Sequence, residues 1–205
     1  RVYPAEVGLP IVIVAGNGRD LVLDSLASIA DAKLGIRYEV ILVDNGSADF
    51  TVECVARQFP DTRIVALPKN IGFGAGNNLV IRAALAEPNP PDCILLLNPD
   101  AALDAGAHPT LVNFLSAHPS AGFVGPRTAG RPGEFGATAF RFPGILNSLD
   151  EGLHFGPLTR LLARWQLAPP PRTEAHRTDW LSGGCLLIRR AVLEDHRIAP
   201  APPGD

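Results

Sequence analysis

Four polar clusters each follow a short apolar run: Ala15-Gly16-Asn17-Gly18, Asp44-Asn45-Gly46-Ser47, the stretch from Lys69 through Asn70, Gly72, Gly74 and Gly76 to Asn77 and Asn78, and Asn98-Pro99-Asp100. The chemistry open to them is recognition of a polar, phosphate-bearing molecule. A carboxylate at Asp44, ending an apolar run, can accept an N–H from a planar ring such as a pyrimidine imide, or it can cap the helix that follows. Asn98 and Asp100 flank a proline that fixes the turn. An oxygen-donor pair in that place suits Mg²⁺ or Mn²⁺ held against a diphosphate, with only Asp100 bringing charge. Gly72, Gly74 and Gly76 let a ligand approach the backbone closely. Turn and cap chemistry uses the same residue types and is the ordinary alternative for any one cluster. Four clusters in register along the chain argue for more than turns.

The elements that must position these clusters alternate. The apolar runs are Ile11–Val14, Val40–Val43, Ile64–Leu67, Ile94–Leu97 and Phe123-Val124. Three of them are continuously apolar, which suits strands buried on both faces of a parallel sheet. Between the runs lie helical patterns: Leu21, Leu23, Leu26 and Ile29; Val52, Val55 and Phe59; Leu79, Ile81, Ala84 and Leu85; Leu111, Val112, Phe114 and Leu115. Strand–helix alternation predicts an α/β layer fold with right-handed crossovers. In an open parallel sheet ligands bind beyond the carboxyl ends of the strands, where all four clusters fall. After Gly125 the texture changes to Pro, Gly and Arg without a period, and order returns in a strand at Cys185–Ile188. The expected division falls at this change, into residues 1–125 and residues 126–205, the second with a Pro/Arg-rich loop.

Composition narrows the classes. The chain has 205 residues, 46% hydrophobic and 19% charged, with net charge −3. A chain this long buries roughly 70% of its unfolded surface, and disorder is excluded. Eighteen Lys and Arg against 21 Asp and Glu leave no basic surplus, so a nucleic-acid partner is not expected. Cys54, Cys93 and Cys185 are far apart, which argues against a disulfide framework or a zinc site and for a reduced, cytoplasmic compartment. No apolar stretch is long enough to span a bilayer, so membrane contact is peripheral at most, at the inner face. His108, His118, His154, His176 and His196 show no ligand spacing and are expected at the surface or in caps. Arg160, Arg164, Arg172 and Arg177 are expected on a solvated face, and Trp165 in the core or anchoring a loop. The spacing Gly72-x-Gly74-x-Gly76 follows the third run, whereas the dinucleotide fingerprint is G-x-G-x-x-G after the first, so a dehydrogenase is disfavoured. A nucleotidyltransferase is disfavoured too, because Gly16-Asn17-Gly18-Arg19 only faintly echoes its glycine-rich loop.

The order Ile11–Val14, Val43-Asp44-Asn45-Gly46-Ser47, Asn70 to Asn78, Leu95 to Asp100 resembles the bacterial family 2 glycosyltransferases, in particular the rhamnosyltransferase-type members with a GT-A fold. Val124-Gly125-Pro126-Arg127, Arg141-Phe142-Pro143 and Asp179 to Arg190 agree, so the resemblance covers about residues 9–195. It implies a GT-A-like, Rossmann-related, mostly parallel sheet flanked by helices, with residues 1–125 as a nucleotide-sugar-binding half and residues 126–205 as a partial acceptor-side region. It also implies inverting transfer of a sugar, rhamnose among the candidates, from a dTDP- or UDP-sugar to the hydroxyl of a glycan or lipid-linked acceptor in cell-envelope polysaccharide synthesis. By that resemblance Asp44 binds the base, with Ala15, Asn17 and Asn45 around it. Asn98 lies where the family often has an acid touching the ribose, and Asp100 holds the metal. Gly72, Asn77 and Asn78 lie near the donor, and Trp180 and Gly183 line the sugar or acceptor side. Two departures stand out. Ala15-Gly16-Asn17 replaces the usual Thr-Tyr-Asn, removing an aromatic platform beside the base. Past the strand at 188 the chain runs to Asp195-His196-Arg197 and a Pro-rich tail, without the acidic motif that supplies the family's general base. The expectation is a fold incomplete at its C-terminus, with a catalytically inactive nucleotide-binding or interaction remnant as the alternative to a transferase.

Overall fold

In the computed structural model the described residues are 8–129, 135–142, 167–170 and 172–195. The readings at Pro143, His154, Arg160, Arg164, Trp165, Pro171 and from His196 onward lie outside them. The described residues form two units: those up to Val124 together with those from Gly183 onward, and those from Gly125 to Ser182.

The first unit is built on a six-stranded sheet. β1 (Leu9–Ala15), β2 (Tyr38–Asp44), β3 (Arg63–Ala66) and β4 (Cys93–Leu97) run parallel; β10 (Cys185–Arg189) runs antiparallel to β4 and to β5 (Phe123–Val124), giving the order β3-β2-β1-β4-β10-β5. Every residue of β1 and β4 is buried, as expected of strands covered on both faces. Ile11 pairs with Val40 on one side and with Leu95 on the other, so β1 is the central strand.

Helices cover both faces. α1 (Arg19–Asp31), α2 (Thr51–Gln58) and α4 (Ala107–Ala117) contribute to one apolar cluster with Leu9, Ile11, Ile13, Leu95 and Leu97. α3 (Phe73–Leu85) packs Val80 and Ile81 on the other, with Val12, Val14, Ile41, Val43 and Ile94. A Cβ at Gly76 would lie 2.9 Å from Val14 Cγ1, so only glycine lets α3 come this close to the sheet. The short α5 (Arg190–Leu193) follows β10.

Three expectations need correction. The buried face of α1 is Val22, Ser25, Leu26 and Ile29, while Leu21 is 51% exposed; with Leu21, Val22 and Leu23 all apolar, period alone does not select the face. Leu79 is likewise on the outer side of α3. His108 is buried to 1% exposure in the first turn of α4. His118 does act at a cap: its ring nitrogen lies 2.9 Å from the Phe114 carbonyl.

Among the described residues of the second unit, the strands form very short pairs. β6 (Thr128–Ala129) pairs with β7 (Phe135–Gly136), and β8 (Ala139–Phe140) with β9 (Trp180–Leu181). Arg127 lies 3.5 Å over the Phe135 ring, and Phe140 stacks on Trp180 at 4.2 Å. Among the described residues no helix is long and apolar enough to cross a membrane.

Candidate functional site

The carboxyl ends of β1, β2, β3 and β4 share one edge, because these strands are parallel. The loops there are stitched together by side chains. Asn45 N–H donates to the Ala15 carbonyl at 2.7 Å, joining the last residues of β1 and β2. Asn17, in the left-handed region at φ 54°, receives the Ala48 N–H on its side-chain oxygen at 2.9 Å and donates its own N–H to Ser47 Oγ at 3.0 Å. Asn tolerates that conformation better than most residues. Asp49 accepts from the Arg19 and Thr51 amides, and the Thr51 hydroxyl bond holds its carboxyl below the usual range.

A second seam joins the β2 loop to the start of α3. Asn45 Nδ2 donates to Asn70 Oδ1 at 2.9 Å, Asn45 Oδ1 accepts the Ile71 amide at 2.8 Å, and Asn70 Oδ1 also accepts the Gly72 amide at 2.8 Å. Gly72 takes φ 91°, a conformation side chains resist, and launches α3. The first turn of α3 has no acidic residue and no side-chain cap, so the positive end of the helix is left for a ligand at this edge.

Asp44 lies at the centre of these seams. It is 3% exposed; one carboxylate oxygen accepts the Ser47 amide at 3.1 Å, and the other, Oδ1, is buried without a donor. Leaving such an acceptor unsatisfied costs about 1–3 kcal/mol, and more for a charged group, so a protein keeps one only where something repays it. Asn77 repeats the pattern. It is 4% exposed, donates to the Phe73 carbonyl at 3.0 Å, and its Oδ1 has no partner. Asn78, its neighbour on α3, is half-buried.

The fourth cluster ends β4, beside β1. Asn98 N–H donates to the Gly184 carbonyl at 2.9 Å, and Ala101 N–H closes the turn on the Asn98 carbonyl at 3.1 Å. Asp100 is exposed, and among the described residues neither its carboxylate nor the side-chain carboxamide of Asn98 has a hydrogen-bond partner. Beside this turn a Cβ at Gly183 would meet nothing within 4 Å.

Two free oxygen-donor side chains, with no group of three His, Cys, Asp or Glu among the described residues, are too few for an all-protein metal cage. They fit a hard divalent cation that takes its remaining ligands from phosphate oxygens.

The structure thus ties Ala15, Asn17, Asp44, Asn45 and Gly72 into these hydrogen-bonded loops, puts Asn77 and Asn78 on the helix they lead into, and puts Asn98, Asp100 and Gly183 at the end of the neighbouring strand. Trp180 belongs to the second unit, where its Nε1 donates to the Arg141 carbonyl at 3.0 Å. Sequence reasoning missed Asn70, Ser47 and Asp49 as organisers. Asn70 sat inside a quoted motif, but its partner lies 25 residues away.

Comparison with known proteins fits this arrangement. N-Acetylglucosaminyl-diphospho-decaprenol L-rhamnosyltransferase of Mycobacterium tuberculosis is 29% identical over 168 residues, covering 75% of this chain and 52% of the relative. The chain therefore spans about half the length of the curated relatives it matches. Among solved structures, S. aureus TarS 1–349 in complex with UDP-GlcNAc aligns with a TM-score of 0.60 at 18% identity, covering 94% of this chain and 48% of that one. Glucosyl-3-phosphoglycerate synthase from M. tuberculosis, in complex with Mn²⁺, UDP and glucosyl-3-phosphoglycerate, aligns at 0.53 and 18%, covering 92% and 58%. The fold is that of the GT-A glycosyltransferases. The profile of glycosyl transferase family 2 matches residues 11–197, and the chain belongs to that family.

Proposed function

We propose that this chain binds a uridine or thymidine diphosphate sugar at the carboxyl edge of its sheet and serves the inverting transfer of that sugar, rhamnose among the candidates, to the hydroxyl of a glycan or lipid-linked acceptor in cell-envelope polysaccharide synthesis. The observation that carries this is the buried, partnerless Oδ1 of Asp44 at the mouth of β2. One carboxylate oxygen is committed to the Ser47 amide, so one remains for one donor. A uracil or thymine imide offers one N–H. Guanine offers two adjacent donors and asks for both oxygens. Asn98 would serve the ribose, and the uncapped start of α3, with Gly72, Asn77 and Asn78, favours the diphosphate. Asn98 and Asp100 would hold Mg²⁺ or Mn²⁺ there, which when bound offsets negative charge on the leaving diphosphate. Trp180, with its indole fixed on Phe140, and Gly183 serve the sugar or acceptor. In this reading residues 1–125 are the donor half and residues 126–205 the acceptor side. The compartment is cytoplasmic, at the inner face of the membrane where a lipid-linked acceptor is presented.

A second reading, donor binding without transfer, is favoured by one observation. Glu194 follows β10 at the opposite edge of the sheet, 3.7 Å from Arg190, and cannot serve as general base for an acceptor at the carboxyl edge. Losing a general base costs about 10²–10⁴-fold in rate.

Calorimetry tests the donor half. UDP or dTDP should bind more tightly than ADP or GDP, and Asp44→Ala should remove that preference. Equal affinity of wild type and variant, or a preference for GDP, would sink the proposal. Nucleoside diphosphate release stimulated by an acceptor separates the first reading from the second.

A further inference from the structure

We infer that Ser28, on the buried side of α1, is a positioning residue for the turn that carries Asp100; this rests on the metal role proposed for Asp100. The turn has an anchor at each end. Upstream, Asn98 continues β4 and its amide is held by the Gly184 carbonyl at 2.9 Å. Downstream, Leu103 is buried in the core and its N–H donates to Ser28 Oγ at 2.9 Å, a contact spanning 75 residues of sequence. The direction of that bond is fixed. Ser28 spends its hydroxyl proton on the Ser25 carbonyl at 2.7 Å, which leaves a lone pair aimed at Leu103. α1 is itself held to the core by Val22, Leu26 and Ile29, so the Ser28 hydroxyl is a rigid reference point.

Asp100 is exposed between the anchors and has no hydrogen-bond partner among the described residues, so the two anchors and Pro99 are what place its carboxylate. A metal ligand must be held within about 0.5 Å of its working position, and groups that orient ligands from behind matter nearly as much as the ligands. Without the hydroxyl, the Leu103 amide must either stay buried and unpaired or turn toward water, and turning moves the chain three residues from Asp100. The same helix links this turn to the base-reading loops, because α1 begins at Arg19, whose amide is bound by Asp49.

The test is titration of UDP into the full chain in EDTA and in excess Mn²⁺, where the ratio of affinities is the metal gain. Ser28→Thr keeps the hydroxyl and should keep the gain. Ser28→Val has the same shape without it and should lose about tenfold of the gain while affinity in EDTA stays unchanged. Ser25→Ala removes a buried hydroxyl that has no partner from the same helix, and should change nothing. Equal gain for Ser28→Val and Ser28→Thr overturns the inference, as does a loss of the same size in EDTA and in Mn²⁺. Absence of a metal gain in the wild type overturns the metal role of Asp100 and this inference with it, and that outcome is read from the wild type alone.

Discussion

The two edges of the six-stranded sheet treat their polar groups in opposite ways. At the amino end of β4, Arg190 pairs with Asp92 at 3.1 Å and donates to the Pro90 carbonyl at 3.0 Å, while Glu194 pairs back on Arg190. Arg189 gives its guanidinium to the carbonyl of Leu115 at 2.7 Å, in the last turn of α4, and to those of Ala121 at 3.1 Å and His118 at 3.4 Å, the last also accepting the Ala121 amide. A pocket of about 450 Å³ lies among these residues, yet each of its charged groups already has a protein partner. At the carboxyl edge the accounts are left open. Asp44 Oδ1 and Asn77 Oδ1 are buried without donors, Asp100 has no partner among the described residues, and the start of α3 has no side-chain cap. The lesson is that a cavity whose charged groups are already paired is not a site by virtue of its volume, and that open hydrogen-bonding capacity is what distinguishes the edge proposed for the donor.

The largest effect should come from the saturated edge. Arg189→Ala strips donors from three carbonyls and should destabilise the protein by about 3 kcal/mol while UDP affinity is kept. A denaturant melt and a UDP titration check both halves of that statement; loss of UDP affinity with stability intact would break the comparison.

Next in size is the open edge. Asp100→Ala should leave the melting temperature unchanged, because the exposed carboxylate has no partner among the described residues, and should abolish the metal gain in UDP binding, a loss of about tenfold or more. Tight Mn²⁺ binding in the absence of nucleotide would contradict a site that needs phosphate ligands.

His108 is the exception that sharpens the rule. Both of its ring nitrogens are buried without partners, and burial lowers its pKa from the ordinary 6.5. A base with a lowered folded pKa binds its proton better when unfolded. Stability is therefore full above pH 6.5 and falls as the pH drops from there toward the lowered folded value, by at most about 1.4 kcal/mol per pH unit. His108→Leu should flatten that slope in melts between pH 7 and pH 5 without moving UDP affinity. If UDP binding rather than stability follows the His108 variant, its open nitrogens belong with the ligand site after all.

The smallest expected effect is a gain. Gly16 takes the place where family 2 members usually carry tyrosine. A Cβ there would come no nearer than 3.6 Å to its neighbours, with no positive φ to forbid it. Gly16→Tyr should restore a ring beside the base and tighten UDP binding by about threefold to tenfold, an aromatic contact of about 0.5–1.5 kcal/mol. Calorimetry reads it directly, and weaker binding would place the base elsewhere.

Much of this edge is legible in the sequence, because parallel strands put the residue after each apolar run on one side. Asp44, Asn98 and Asp100 were found in that way. What local pattern could not reveal is pairing over distance: Asn45 with Asn70, Leu103 with Ser28, and the insertion of β10 between β4 and β5, where Cys185 faces Leu97 across 88 positions of sequence. The α1 face was misread because three apolar residues in a row blur a helical period and because Ser25 is a polar residue on the buried side. Burial of His108 carries no sequence signal, since a histidine in a first helical turn reads equally well as a surface residue.

Hydrogen exchange with and without UDP and Mn²⁺ tests the contrast between the edges most directly. The account predicts slowed exchange at the amides of Asn17, Ser47, Ile71, Gly72 and Ala101, which close the carboxyl-edge loops, and no change at Arg189, Arg190 and Glu194. Protection centred on Arg189 to Glu194, with none at the carboxyl edge, would contradict it.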